Sequence, residues 1–167
     1  MKKSKINILA CGGTIDKIYF DAKSDYQVGD PQILKVLRES NVNFDYDVQS
    51  ILRKDSLEID DEDRAKIRHA VETCDSNCIL ITHGTDTMIE TAKYLSGMAD
   101  RTIVLTGSME PARIRDTDAV FNIGCAVAAV QALTPGVYVV MSGRIFDPYK
   151  SRKNIADRVF EEIDDQT

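Results

Sequence analysis

Apolar and polar positions alternate along this chain in two rhythms. Five short runs, INILAC (6–11), FDYDVQSI (44–51), CILIT (78–82), TIVLT (102–106) and VYVVM (137–141), are rich in apolar and β-branched residues and have strand length, so they predict β-strands. Between them apolar residues recur three and four apart, the spacing of one helix face. Ile59, Ile67, Ala70, Val71 and Cys74 share such a face in 59–74. Met88, Ile89, Ala92 and Leu95 do so in 88–95, with Gly97 placed to stop the helix. In 116–133 the stripe is Val120, Ile123, Val127, Val130 and Leu133, with Asp116 or Thr117 as cap. Asp30-Pro31, an acidic cap followed by proline, predicts a further helix that buries Ile33, Leu34 and Leu37. A last helix near 154–163 buries Ile155, Val159, Phe160 and Ile163.

Strands that alternate with helices, several of them apolar almost throughout, predict an α/β fold: a mostly parallel sheet covered on both faces. This is the three-layer αβα arrangement of flavodoxin-like and Rossmann-like domains. The segment DKIYFDAKSDYQVGD (16–30) breaks the rhythm, being polar yet carrying Tyr19, Phe20 and Tyr26. It predicts a β-hairpin after the first strand, readable either as a mobile lid or as an ordinary exposed hairpin. Without repeats, low-complexity tracts or an internal linker, residues 1–167 read as one domain.

Composition narrows the class. Hydrophobic residues make up 43% and charged residues 29%, the balance of a folded globular chain. A net charge of −6 with scattered Lys and Arg argues against binding nucleic acid or anionic lipid. The run INILA contains Asn7 and falls short of the ~7–15 apolar residues of a secretory signal. A cytoplasmic protein without a membrane segment is therefore the expectation. Cys11, Cys74, Cys78 and Cys125 then read as free, small core residues. His69, Cys74 and Cys78 have neither the number nor the spacing of a zinc site.

The predicted strands end in Gly12-Gly13-Thr14, Lys54-Asp55-Ser56, His83-Gly84-Thr85-Asp86, Gly107-Ser108 and Ser142-Gly143-Arg144. Each end carries glycine or a hydroxyl. These residues suit turns and caps, but in an open parallel sheet ligands bind beyond the carboxyl ends of the strands, where all five converge. CGGTID lacks the spacing of a dinucleotide loop, and neither a P-loop nor a G-x-S-x-G elbow occurs. His69 falls mid-helix, and His83 reads as a brace of its strand end rather than as a base. Threonine is left as nucleophile, with lysine or a carboxylate to activate it.

ILACGGTID, SDYQVGD, ITHGTDTMIETA and VLTGSMEPARIRDTDAVFN together resemble the bacterial-type L-asparaginases, amidohydrolases with two threonines at the active site. The likeness runs over nearly the whole chain but spans only the amino-terminal domain of those longer enzymes, so the chain resembles a short, single-domain member or a truncated copy. The resemblance implies hydrolysis of L-asparagine to aspartate and ammonia through a threonyl ester, without metal or organic cofactor. Glutamine or another amide, and a catalytically inactive amino-acid-binding role, stay open beside it.

Carried over to this chain, the resemblance makes Thr14 the nucleophile and Tyr26 the lid tyrosine that orients it. Thr85 and Asp86 match the second threonine and its acidic neighbour. Lys153, from a loop that also carries Lys150 and Arg152, matches the lysine of a Thr-Lys-Asp relay. Ser56 and Gly84 match contacts to the substrate's α-carboxylate, and Asp86 the partner of its α-ammonium. Ser108 stands beside the leaving amide where the family often has alanine, and Leu57 where it often has a polar residue. In the long enzymes a neighbouring subunit completes the pocket, so the resemblance also implies a homo-oligomer, a dimer or larger.

Overall fold

The computed structural model describes residues 5–98 and 100–163. The first strand, β1 (Ile6–Gly12), is buried along its whole length. A hairpin of β2 (Lys17–Phe20) and β3 (Asp25–Val28) follows, then α1 (Ile33–Glu39), β4 (Tyr46–Lys54) and α2 (Asp61–Thr73). Next come β5 (Cys78–Thr82), α3 (Met88–Tyr94), β6 (Thr102–Thr106), α4 (Ala119–Ala132), β7 (Gly136–Met141) and β8 (Arg144–Phe146). A second hairpin, β9 (Ser151–Asn154) with β10 (Val159–Glu162), closes the described part.

Among the described residues the main sheet has the order β4-β1-β5-β6-β7-β8. Its strands are parallel except β8, which runs antiparallel to β7. Alternate strand residues feed two cores. Leu9, Ile79, Ile81, Ile103 and Leu105 pack with Ile67 and Val71 of α2 and Ile89 and Ala92 of α3. Ile6, Ile8, Leu80 and Val104 pack with Ile33 and Leu37 of α1 and Ile123 and Val130 of α4. The expected three-layer α/β arrangement is therefore the one present. It also explains the runs without alternation: β1, β5 and β6 meet helices on both faces, so both sets of side chains must be apolar. The edge strand β4 is mostly half-exposed and continues past the expected end at 51 through the polar Arg53 and Lys54.

Several elements depart from the pattern. α2 starts at Asp61 rather than at 59, because the Asp60 carboxylate accepts the Asp63 amide at 2.9 Å and Asp63 returns the bond in a capping box. α1 starts at Ile33, past Asp30-Pro31: Asp30 pairs with Arg53 at 2.6 Å, and the first turn is capped from a distance by Asp16, which accepts the Gln32 amide at 2.9 Å. α4 starts at Ala119, with Thr117 accepting the Ala119 amide at 3.1 Å. Its sheet-facing column is Ala119, Ile123, Ala126 and Val130, which leaves Val120 at 50% exposure instead of in the stripe.

The expected helix over 154–163 is absent, and the second hairpin takes its place. Asn154 accepts the Asp157 amide at 3.2 Å and Arg158 adopts φ 53°, so the chain reverses instead of winding. Of the four apolar residues only Phe160 is buried, beside Phe146; Ile155, Val159 and Ile163 are 75%, 42% and 46% exposed. Their helical spacing was coincidental. Among the described residues no helix is long and apolar enough to cross a membrane.

Candidate active site

The chain runs from β1 outward to β4 and then returns to β5 on the other side of β1. Beyond β1 it enters α1 on one face of the sheet; beyond β5 it enters α3 on the other. Such a reversal opens a crevice at the carboxyl ends of the two central strands. Into it project the Gly12-Gly13-Thr14 and His83-Gly84-Thr85 loops.

Glycine lets these loops touch. At Gly13, φ is 85° and a methyl group would lie 2.3 Å from the Gly84 nitrogen and Cα. At Gly84 a methyl would lie 2.6 Å from the Ser56 Cβ and Oγ. Backbone therefore stacks on backbone from the β1 loop to the β5 loop, the β5 loop lies against the Ser56 side chain of the β4 loop, and three sequence-distant hydroxyls are drawn together. Two backbone bonds lock the array, Gly13 N to Lys54 O at 2.9 Å and His83 N to Thr106 O at 2.9 Å.

Thr14 opens a single 3-10 turn, Thr14–Asp16, and is partly exposed. Among the described residues nothing hydrogen-bonds its hydroxyl. Thr85 is 5% exposed, and its Oγ1 accepts from Lys153 Nζ at 2.7 Å. The same ammonium reaches Asp86 Oδ1 at 2.5 Å. Lys153 arrives from β9, where Arg152 turns the other way to pair with Glu161 at 2.8 Å. Of the cations crowded in that loop, Lys153 is the one joined to both Thr85 and Asp86.

Ser56 is 1% exposed at the start of the turn Ser56–Glu58. Asp55 organises that turn by accepting the Leu57 amide at 3.2 Å, and Thr87 ties it to the β5 loop by donating to the Ser56 carbonyl at 2.7 Å. Burial pushes the Asp55 carboxyl up, but the Leu57 amide and the Lys17 ammonium at 3.1 Å outweigh it and hold it below its ordinary value. Ser108, at the end of β6, is buried and donates its hydroxyl to the Glu110 carbonyl. Tyr26 lies outside this cluster. It is 48% exposed and packs edge-to-face on Tyr19 at 5.5 Å, and among the described residues no hydrogen bond joins it to Thr14.

His83 braces the site, as its place at the strand end predicts. Nδ1 lies 2.7 Å from the Gly84 carbonyl and Nε2 2.9 Å from Thr91 Oγ1, which itself receives Arg64 Nε at 3.3 Å. The Gly84 carbonyl can only accept, so Nδ1 carries the proton of the neutral ring and Thr91 donates to Nε2. Burial, with Arg64 nearby and against the Gly84 bond, lowers the imidazole to about 4, so it stays neutral.

The sequence reading missed Asp16, Asp55 and Thr87. Each is a turn residue by type, and its partner lies far along the chain or is a backbone atom. Among the described residues no group of three or more His, Cys, Asp and Glu could hold a metal ion, and the four cysteines are free.

The sequence matches the protein family described as "Asparaginase, N-terminal" over residues 5–164. It is 35% identical over 149 residues to the L-asparaginase of Thermococcus kodakarensis, covering 84% of this chain and 45% of that one. To the glutaminase-asparaginase of Pseudomonas fluorescens biotype A it is 32% identical over 158 residues, covering 86% and 44%. The solved structure of the thermostable T. kodakarensis L-asparaginase superposes with a TM-score of 0.83 at 30% identity, covering 95% of this chain and 51% of that one. The chain thus spans about half the length of these relatives.

Proposed function

The chain belongs to the asparaginase family, and on that premise we propose that it is an amidohydrolase that releases ammonia from the side-chain amide of L-asparagine through a threonyl ester. One observation carries this reading: a single ammonium, Lys153 Nζ, contacts both Thr85 Oγ1 and Asp86 Oδ1, beside the loop that presents Thr14. A threonine hydroxyl is a feeble nucleophile until a neighbouring group takes its proton, and a hydroxyl-ammonium-carboxylate chain is a route for that proton.

In this mechanism Thr14 Oγ1 attacks the amide carbon as its proton passes to Thr85 Oγ1, which hands its own to Lys153 while Lys153 gives one to Asp86. The Thr85 amide N–H donates to the oxygen on which charge develops. The C–N bond breaks, and the proton returns along the same chain to the departing nitrogen, which leaves as ammonia. Water then attacks the ester, releases aspartate and restores the hydroxyl. Ser56 and the backbone at Gly84 hold the α-carboxylate, and Asp86, whose side chain is 35% exposed, takes the α-ammonium. Ser108 lines the wall beside the leaving amide. The proposal includes inward closure of the first hairpin, since Tyr26 must leave its exposed position to orient Thr14.

A wider amide range is a second reading. It is favoured by the relative named for both glutaminase and asparaginase activity, and by an open rim where Leu57 is 73% exposed. One methylene is worth only ~1–3 kcal/mol of discrimination, so the same groups can serve both amides. We further place the chain in a homo-oligomer, a dimer or larger, supported by the exposed apolar pair of Phe121, beside Gly143, and Ile145.

The test is ammonia release from asparagine and glutamine by the parent chain, Thr14→Ala and Thr85→Ala. Release that falls at least ~100-fold in both variants is the expected result, since each removes a group acting on the reacting bond. Absence of release at millimolar substrate, or a Thr14→Ala variant as active as the parent, would overturn the reading in favour of an inactive amino-acid-binding protein.

A further inference from the structure

We propose that Arg158 is a positioning residue for the Thr85–Lys153–Asp86 contact, a role that rests on the amidohydrolase reading for its kinetic consequence: its guanidinium latches the β9–β10 hairpin to the loop after β6 and so holds Lys153 in place. This hairpin is a sheet of its own, outside the main ladder. A two-stranded ribbon has little stability by itself, so its position depends on a few attachments. At its root Ser151 Oγ donates to the Asp147 carbonyl at 2.6 Å and Ile163 N to the Lys150 carbonyl at 2.8 Å. In the middle Phe160 enters the core beside Phe146. At the tip Arg158 Nη2 donates to the Met109 carbonyl and to Glu110 Oε1, each at 3.0 Å.

Lys153 stands directly opposite Phe160 in the antiparallel register, so the two side chains share the face turned towards the body of the protein. Phe160 fixes that face in the middle, and Arg144 pairs with Glu162 at 3.2 Å near the root, which leaves the tip as the end that can swing. The Arg158 contact fixes the tip. Its post is firm: the Asp118 carboxylate accepts the Met109 amide at 2.9 Å and the Glu110 amide at 3.0 Å, and Thr117 donates to the Glu110 carbonyl at 3.2 Å. The post also borders the site, with Met109 Sδ 3.9 Å from Thr85 Oγ1. One guanidinium therefore joins the strand pair that brings Lys153 to the residue that flanks Thr85 on its other side. The tip accepts a costly backbone conformation to do so, since Arg158 has φ 53°, a region that favours glycine.

Four variants test the latch: Arg158→Ala, Arg158→Gly, Glu110→Gln and the rescue Arg158→Lys. Glycine removes the guanidinium while relieving the positive φ, so its thermal midpoint should not fall below the parent's, and loss of fold cannot imitate loss of the latch. With asparagine, kcat should drop about two- to five-fold in Arg158→Gly with KM nearly unchanged, the scale of losing an exposed ion pair; Lys should recover most of it. Independently of turnover, Lys153 can be acylated with an amine-reactive ester and its modification followed by mass spectrometry, with Lys35 on α1 as internal reference. Lys153 should react several-fold faster in Arg158→Gly than in the parent. Unchanged kcat in an active parent overturns the proposal. So does a drop in kcat with unchanged Lys153 reactivity, which would mean that Arg158 acts directly. If the parent releases no ammonia, the amidohydrolase reading fails, and the labelling rate alone decides the latch: an unchanged rate overturns it.

Discussion

Asp16 holds the base of the first hairpin by two bonds. Its carbonyl accepts the Gly29 amide at 2.8 Å and its carboxylate the Gln32 amide at 2.9 Å. Only 2% of the residue is exposed, and burial raises its carboxyl to about 7; the Gln32 amide and Arg53 oppose the rise, and Asp30 adds to it. Because the folded value lies above the unfolded one, the folded state binds the proton more tightly. The stability this group contributes is therefore complete below about pH 4 and is lost as pH rises towards about pH 7, levelling off above. Asp16→Asn keeps an acceptor for Gln32 but cannot ionise. Its unfolding free energy should gain on the parent's by about 2 kcal/mol between about pH 5.5 and about pH 7.5 in urea titrations. A difference that stays constant with pH would show that Asp16 is ionised in the folded protein throughout.

At the scale of elements, the site is made by strands that end in glycine. β1 and β5 lie side by side in register from Ile6 and Cys78 to Ala10 and Thr82, and the loops beyond them can meet only where neither carries a side chain. Gly13 also has φ 85° with ψ −173°, a combination essentially confined to glycine. Gly13→Ala should thus suffer twice, through its backbone and through the 2.3 Å approach to Gly84. Chemical denaturation should register a loss of at least ~2 kcal/mol, with ammonia release abolished because Thr14 and Thr85 are driven apart. A variant with the parent's stability would mean that the two loops yield without cost. The hairpins that border the crevice differ in attachment. The first carries Tyr19 and Tyr26 outward and is tied near its base by Lys17–Asp55 and Asp30–Arg53, whereas the second is pinned through Phe160.

The whole molecule presents the crevice at one end of the sheet and an apolar strip along its β8 edge. Phe121, 60% exposed on α4, lies over Gly143, where a methyl group would come within 3.3 Å of its ring. With Ile145, 48% exposed on β8, it makes a surface suited to another apolar surface rather than to water. Light scattering at micromolar concentration should give a multiple of the chain mass, and Phe121→Asp should shift it towards the monomer. A parent chain that already runs as a monomer contradicts the proposed oligomer.

Most of the fold was legible because burial on both faces leaves a mark in the residues themselves. β1, β5 and β6 are apolar almost throughout since a polar side chain there is cut off from water, as Asn7 Oδ1 and Thr82 Oγ1 are, and the glycines and hydroxyls beyond them mark the ends where ligands can enter. The HGTDT and CGGT loops could be paired by resemblance before any contact was known. Other features left no local mark. Whether 154–163 winds or reverses depends on contacts that no local period records, Phe160 meeting Phe146 and Arg158 meeting Met109, and the exposed Ile155, Val159 and Ile163 imitate a helix face only by spacing. The strand before this segment decides which cation reaches the site. In β9, alternate side chains face opposite ways, so Lys153 turns inward and Arg152 outward. The sequence by itself therefore determined the layers, the order of elements from β1 to β7 and the kinds of group at the strand ends, because each is written in local hydrophobic period and turn chemistry. Only the tertiary structure decided that Lys153 lies at Thr85, that Asp16 caps a helix sixteen residues on, and that Arg158 meets Met109. These contacts join residues remote along the chain, and their geometry follows from how whole elements pack.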